Sequence, residues 1–134
     1  MVGYSDTPLP KKLGIKSGFR VHFVAAPSEV IAELKPALAG CDLVHDQKSQ
    51  LDFAHVFSRS KTNLTKEFQR IAKRLVPAGM LWVSWPKKSS GVATDLDENV
   101  VRAIGLAAGL VDLKVCAVTE VWSGLKFVRR VKDR

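Results

Sequence analysis

The chain has 134 residues, enough for one domain with a core of its own. Hydrophobic residues make up 46% and charged residues 25%, the balance of a globular protein, and no apolar run approaches the ~20 residues that a bilayer crossing needs. The net charge of +8 is uneven: residues 61–90 hold seven lysines and arginines against one acid, Glu67, a pattern that suits phosphorylated ligands, nucleic acid or acidic partners and equally a solvated helix face.

The first residues show no basic start followed by an apolar stretch, so a cytoplasmic location is expected. Cys41 and Cys116 have neither metal-ligand nor disulfide-framework spacing, and both are expected reduced. His22, His45 and His55 are far apart in sequence, and no metal site is expected.

The segment Thr7–Gly14 reads as a short helical turn, with Thr7 as cap, Pro8 at the first helical position and Gly14 as stop. Arg20–Ala26 (RVHFVAA) is a first buried strand. Ser28 then caps a helix to about Leu38, whose apolar face is Val30, Ile31, Leu34 and Leu38; Pro36 weakens its last turn and Gly40 ends it. Asp42–His45 is a short second strand and Phe53–Phe57 a third. A helix opened by Thr62 or Asn63 runs to about Val76, because Leu64, Phe68, Ile71 and Leu75 recur at the helical period. Lys66, Arg70, Lys73 and Arg74 lie off that stripe. Pro77-Ala78-Gly79 stops the helix before a fourth strand, Met80–Trp85. After a polar loop, Asp95 and Glu98 form a capping box for a helix to about Ala108. Val111–Thr119 and Leu125–Val131 are two strands of a hairpin joined through Val121–Gly124.

Buried strands alternating with helices imply an α/β domain spanning residues 1–134: a mostly parallel sheet of about six strands in three layers, helices on both faces, with the hairpin adding an antiparallel strand. No linker or repeat divides the chain.

Two sets of residues carry family resemblances. LGIKSGFRV (13–21), LVPAGML (75–81) and the terminal hairpin resemble the first strand, the turn before the fifth strand and the last two strands of class I methyltransferase-like Rossmann domains. That resemblance implies a reduced Rossmann-like sheet with one β-α unit dropped after the second strand, order 2-1-3-4-6-5, strand 6 antiparallel. GYSDTPLPKKLGI (3–15), WPKKSSGVATDL (85–96), VDLKVCAV (111–118) and WSGLK (122–126) resemble a small bacterial protein family with no established activity. That second resemblance implies a fold and no mechanism.

In open parallel sheets ligands bind at the carboxyl ends of the strands, where strand order reverses. Nucleotide and S-adenosylmethionine cofactors need glycines after the first strand so that the backbone can approach them. This chain has Ala25-Ala26-Pro27-Ser28-Glu29 there. Pro27 removes an amide donor, and Glu29 puts negative charge where a phosphate would go. Standard S-adenosylmethionine or NAD binding is therefore disfavoured and the cofactor is unknown, although Asp46 stands at the distance of a ribose-binding acid. The loop Trp85–Gly91 offers a second possibility at the same edge. Arg59, Lys87 and Lys88 would converge there on an anionic small molecule with Ser89 and Ser90, while Trp85 and Trp122 would stack a ring. The counter-reading is a solvated connector and tryptophans that close the sheet's rim. No catalytic residue is identifiable: His45 beside Asp46 lacks a nucleophile, and neither cysteine has a basic neighbour in evidence to activate it.

The leading functional reading is thus an anion-binding Rossmann-like domain, enzyme or not. A divergent methyltransferase or other transferase, with Asp46 and Ser58 near its cofactor, is the first alternative. A nucleic-acid-associated or protein-interaction domain is the second, not favoured because no nucleic-acid module is present. No membrane partner is expected, and the outer face of the last two strands leaves a homodimer open.

Overall fold

The computed structural model describes residues 7–134. In chain order its elements are helix α1 (Leu9–Leu13), strand β1 (Arg20–Val24), α2 (Ser28–Leu38), β2 (Asp42–Leu43), β3 (Leu51–Phe57), α3 (Lys61–Ala72), β4 (Leu75–Pro86), α4 (Glu98–Ala107), β5 (Val111–Ala117) and β6 (Trp122–Val128). The strands form one sheet in the order β2-β1-β3-β4-β6-β5. β1 to β4 pair in parallel, and β6 runs antiparallel to both β4 and β5. The order and the single reversed strand are those expected from the sequence.

Alternation along the strands divides the core in two. Val21, Phe53, Phe57 and Trp82 face α1 and α2, where Leu9, Leu13, Val30, Leu34 and Leu38 cover them. Ala54, Val56, Leu81, Val83, Trp85, Leu125 and Phe127 face α3 and α4, covered by Leu64, Phe68, Ile71, Val101 and Ile104. Residues 44–50 carry the chain from β2 to β3 without a helix. Val44 is buried in the α3/α4-side core, and its carbonyl lies 2.8 Å from His22 Nδ1.

Several boundaries differ from the sequence reading. β1 ends at Val24 because Ala25 turns the chain with φ 56°. Pro8 and Pro27, not Thr7 and Ser28, hold the cap positions of α1 and α2, neither with a side-chain bond. Ser60 caps α3, accepting from the Asn63 amide at 3.2 Å. α3 ends at Ala72, and Pro77-Ala78-Gly79 lies within β4 instead of separating it from the helix. The cause is pairing: Leu75 already stands opposite Leu51, and an irregularity before Met80 opposite Phe53 accommodates the proline. Asp97, not Asp95, caps α4, accepting from Val100 N at 2.8 Å. Asp95 instead accepts from Lys61 N at 2.8 Å, tying the loop to the start of α3. Trp122 is the first residue of β6, so the hairpin turns at residues 118–121, where Thr119 Oγ1 accepts from Val121 N and Trp122 N. Among the described residues no helix is long and apolar enough to cross a membrane.

Candidate functional site

β1 and β3 are neighbours in the sheet, yet the chain leaves β1 for α2 on one face and leaves β3 for α3 on the other. Such divergence opens a crevice at the carboxyl ends of the strands. A cavity of about 650 Å³ lies there, lined by Ala25 after β1, by Phe57, Ser58 and Arg59 at the end of β3, by Ser60 and Asn63 at the start of α3, by Ala93, and by Trp122.

Each lining residue has a local cause. Ala25 holds a left-handed backbone, which glycine adopts freely and alanine does not. Phe57 is buried, stacked on His55 at 4.2 Å, and its ring stands nearly perpendicular to that of half-buried Trp122 at 5.2 Å. Ser58 Oγ accepts from Ser60 N at 3.2 Å and reaches Asn63 Oδ1 at 3.0 Å, which folds the β3–α3 turn around the cavity. Arg59 is exposed. Its carbonyl accepts from Thr94 Oγ1 at 2.7 Å and from Asp95 N at 3.3 Å, while its guanidinium has no hydrogen-bond or ion-pair partner among the described residues. The cavity therefore combines one uncommitted cation, two aromatic rings and a cluster of short polar side chains.

The site residues expected from the sequence divide. Arg59 and Trp122 meet at the cavity. Trp85 points the other way, 6% exposed in the α3/α4-side core. Lys87, Lys88, Ser89 and Ser90 do not line the cavity. The Lys87 amide donates to Val121 O at 2.7 Å, which holds the loop against the hairpin. Lys88–Ser90 is a 3-10 turn, where Ser90 Oγ donates to Lys87 O at 2.6 Å. The loop reaches the cavity only through Ala93. Asp46 is also elsewhere. Hydrogen bonds from Ser49 Oγ, Ser49 N and Lys48 N hold its carboxyl far below the usual carboxylate range. Its carbonyl accepts from Arg74, the residue just before β4, toward the amino end of the sheet.

The sequence reading did not single out Phe57, Ser60, Asn63 or Ala93. Ser60 and Asn63 carried a signal, a serine three residues before an asparagine at a helix start, but that pattern equally marks a cap. Ala93 carried none.

The remaining candidates for chemistry are committed to the fold. His55 is fully buried, with Nε2 2.7 Å from Ser84 Oγ and no partner on Nδ1; burial pushes its pKa down to about 3. Burial pushes both thiols up, against the charges of Lys12 and Lys114 in the case of Cys116, so neither is an activated nucleophile. Arg74, expected on the helix but lying beyond the end of α3, is buried and donates to Ser49 O and Asp46 O. Arg70 is paired with Glu67 and Gln47. Of the four basic residues expected on this face, Lys66 on α3 and Lys73 at its C-cap are exposed. Among the described residues no three His, Cys, Asp or Glu side chains gather as a metal-ligand set.

Similar solved structures identify the architecture. Precorrin-6y C5,15-methyltransferase from Geobacter metallireducens GS-15 is similar over 91% of this chain and 86% of its own, with a TM-score of 0.62 at 11% identity. Magnesium protoporphyrin IX methyltransferase from Synechocystis PCC 6803, solved with bound SAM, is similar over 91% and 74%, TM-score 0.59 at 11% identity. The fibrillarin pre-rRNA processing protein of Methanococcus jannaschii is similar over 93% and 70%, TM-score 0.55 at 12% identity. The chain has the class I methyltransferase fold. No protein-family model and no curated protein matches it, so the resemblance carried by WPKKSSGVATDL gains no support from these comparisons.

The fold family implies S-adenosylmethionine, and the residues after β1 do not fit it in the glycine-cradled way. Ala25 and Ala26 put methyl groups at the close approach, and Pro27 has no amide to donate. Glu29 adds an acid in the first turn of α2, and Asp46 is tied to Ser49 and Arg74 away from the cavity.

Proposed function

We propose that this chain binds an anionic, ring-bearing small molecule in the cavity at the carboxyl ends of β1 and β3. The observation that carries the reading is the lining itself: Arg59, whose guanidinium has no partner among the described residues, lines the same cavity as the rings of Trp122 and Phe57. Arg59 supplies a charge-assisted hydrogen bond to a phosphate or carboxylate, Trp122 a face for the ring, and Ser58, Ser60 and Asn63 short polar contacts between them. Trp85 and the Lys87–Ser90 loop drop out of the contact set, and Asp46 is not assigned a cofactor.

A divergent methyltransferase is the second reading. The fold supports it, and so does Ala25, whose left-handed backbone keeps the turn after β1 in a conformation that glycine favours. The misfit of the Ala-Ala-Pro-Ser-Glu turn weighs against it. Calorimetric titration separates the two, using AMP as a ring-bearing anion and S-adenosylmethionine in parallel. The first reading expects saturable heat with AMP and a loss of about tenfold or more in affinity in Arg59→Ala, the scale of one hydrogen bond to a charged group. Arg59 is exposed, so that variant should fold like the parent. Heat with S-adenosylmethionine and none with AMP would reverse the preference.

A further inference from the structure

A second group of cations stands apart from the carboxyl-edge cavity. The register of the hairpin puts Lys114 of β5 directly opposite Lys126 of β6. Like charges in directly opposed positions of an antiparallel pair destabilise it. The ladder is irregular between Asp112 and Lys114. Asp112 is paired with Arg102 of α4 at 3.0 Å. Lys114 instead reaches α1, donating to the carbonyl of Lys12 at 3.1 Å. Lys126 stands opposite Trp82 of β4, whose indole also bonds α1 through the carbonyl of Leu13 at 2.8 Å. Its ammonium is packed against Gly14, the left-handed residue that ends α1: a Cβ at Gly14 would be 3.8 Å from Lys126 Nζ and 3.4 Å from Met80 Sδ.

Lys126 is half-buried and has no hydrogen-bond or ion-pair partner among the described residues. Burial lowers its pKa, and the charges of Lys114 and Lys16 lower it further. Among the described residues no acid pairs with Lys16, Lys114 or Lys126. Two lysines on opposed strand positions, with Lys16 near them, form a concentration of positive charge in which Lys126 is half-buried and has no acid partner among the described residues.

We infer that Lys16, Lys114 and Lys126 form a second anion site, at the end of α1, for a small multivalent oxyanion such as a phosphate or pyrophosphate group. A small oxyanion fits better than an extended polyanion because Lys126 is recessed between Gly14 and Met80 while only Lys16 and Lys114 are exposed. This inference does not depend on the ligand proposed for the cavity.

Thermal unfolding at constant ionic strength tests it, comparing pyrophosphate with sodium chloride in the parent, Lys126→Gln and Arg59→Ala. Pyrophosphate should raise the parent's Tm by roughly 3 °C or more beyond chloride, the response of a native-state ligand in modest excess over its Kd. Lys126→Gln should start from a higher Tm at low salt, because the repulsion is relieved, and should lose the rise specific to pyrophosphate. Arg59→Ala should keep it. Equal rises with chloride and pyrophosphate in the parent, an undiminished rise in Lys126→Gln, or a rise abolished by Arg59→Ala would each overturn the site.

Discussion

At Ala25 one methyl group works against the backbone. Ala25 is the only described non-glycine residue in the left-handed region, and its side chain is exposed at the cavity. A non-glycine residue there costs about 1 kcal/mol or more, which glycine escapes. Ala25→Gly should therefore stabilise the fold by on the order of 1 kcal/mol, read as a higher urea midpoint at unchanged slope. A lower midpoint would mean that the methyl group makes contacts worth more than the strain. The same substitution opens the approach to the turn after β1, so any gain in S-adenosylmethionine binding would appear in it first.

His55 makes stability depend on pH. Unfolded, it takes up a proton near 6.5, and in the fold only near about 3. The unfolded chain therefore binds more protons across that window. The contribution is fully present above about pH 6.5 and is lost as the pH falls toward 3. At about 1.4 kcal/mol per pH unit the whole window is on the order of 5 kcal/mol. The double variant His55→Phe/Ser84→Ala removes both the imidazole and the hydroxyl it would leave unpaired. Its urea midpoint should fall less between pH 7 and pH 4.5 than the parent's. Equal falls would show that His55 is not held neutral by the fold.

At the scale of the elements, α4 approaches the sheet through a glycine. A Cβ at Gly105 would lie 2.0 Å from Cε1 of Phe127, a ring already packed edge-on against Phe68 at 5.0 Å. Gly105→Ala should destabilise by about 2 kcal/mol despite alanine's better helix propensity, because the ring must move or the helix must lift. A chemical-denaturation midpoint at or above the parent's would show that Phe127 yields freely.

Elements were legible in the sequence where one periodic signal dominated. Of the Leu64, Phe68, Ile71, Leu75 stripe the first three are buried on α3 as read, while Leu75 is buried as the first residue of β4. The misplaced boundaries have a common physical reason. Pro77-Ala78-Gly79 is a strong local stop signal, yet pairing of Leu75 with Leu51 overrides it, and Leu51 is far away in sequence. Asp95 and Asp97 are equivalent as candidate caps until Lys61 N, on another helix, takes Asp95. Local propensity cannot register a partner that only tertiary structure supplies.

At the scale of the whole molecule, alternation and hairpin spacing pointed to a mostly parallel sheet with an antiparallel strand, and the methyltransferase-like resemblance implied its order, while the candidate site was half legible. Strand ends can be read from a sequence, which is how Arg59, a cavity-lining residue, could be placed at this edge in advance. Which face a strand end presents follows from parity, and parity sends Trp85 into the α3/α4-side core. The lysines of the Pro86–Thr94 loop stand apart because Lys87 bonds the hairpin backbone before the chain turns back to Arg59. That hydrogen bond joins residues 34 apart and leaves no trace in local composition.

Amide NMR of the labelled protein titrated with AMP would locate the ligand directly. Saturable shifts should appear at Ala25, Ser58, Arg59 and Asn63 and at the Trp122 indole, with Asp46 and Lys88–Ser90 unmoved. Saturable shifts centred on Lys87–Ser90 or Asp46, or the absence of any saturable shift around Arg59 and Trp122, would contradict a ligand site at the carboxyl ends of β1 and β3.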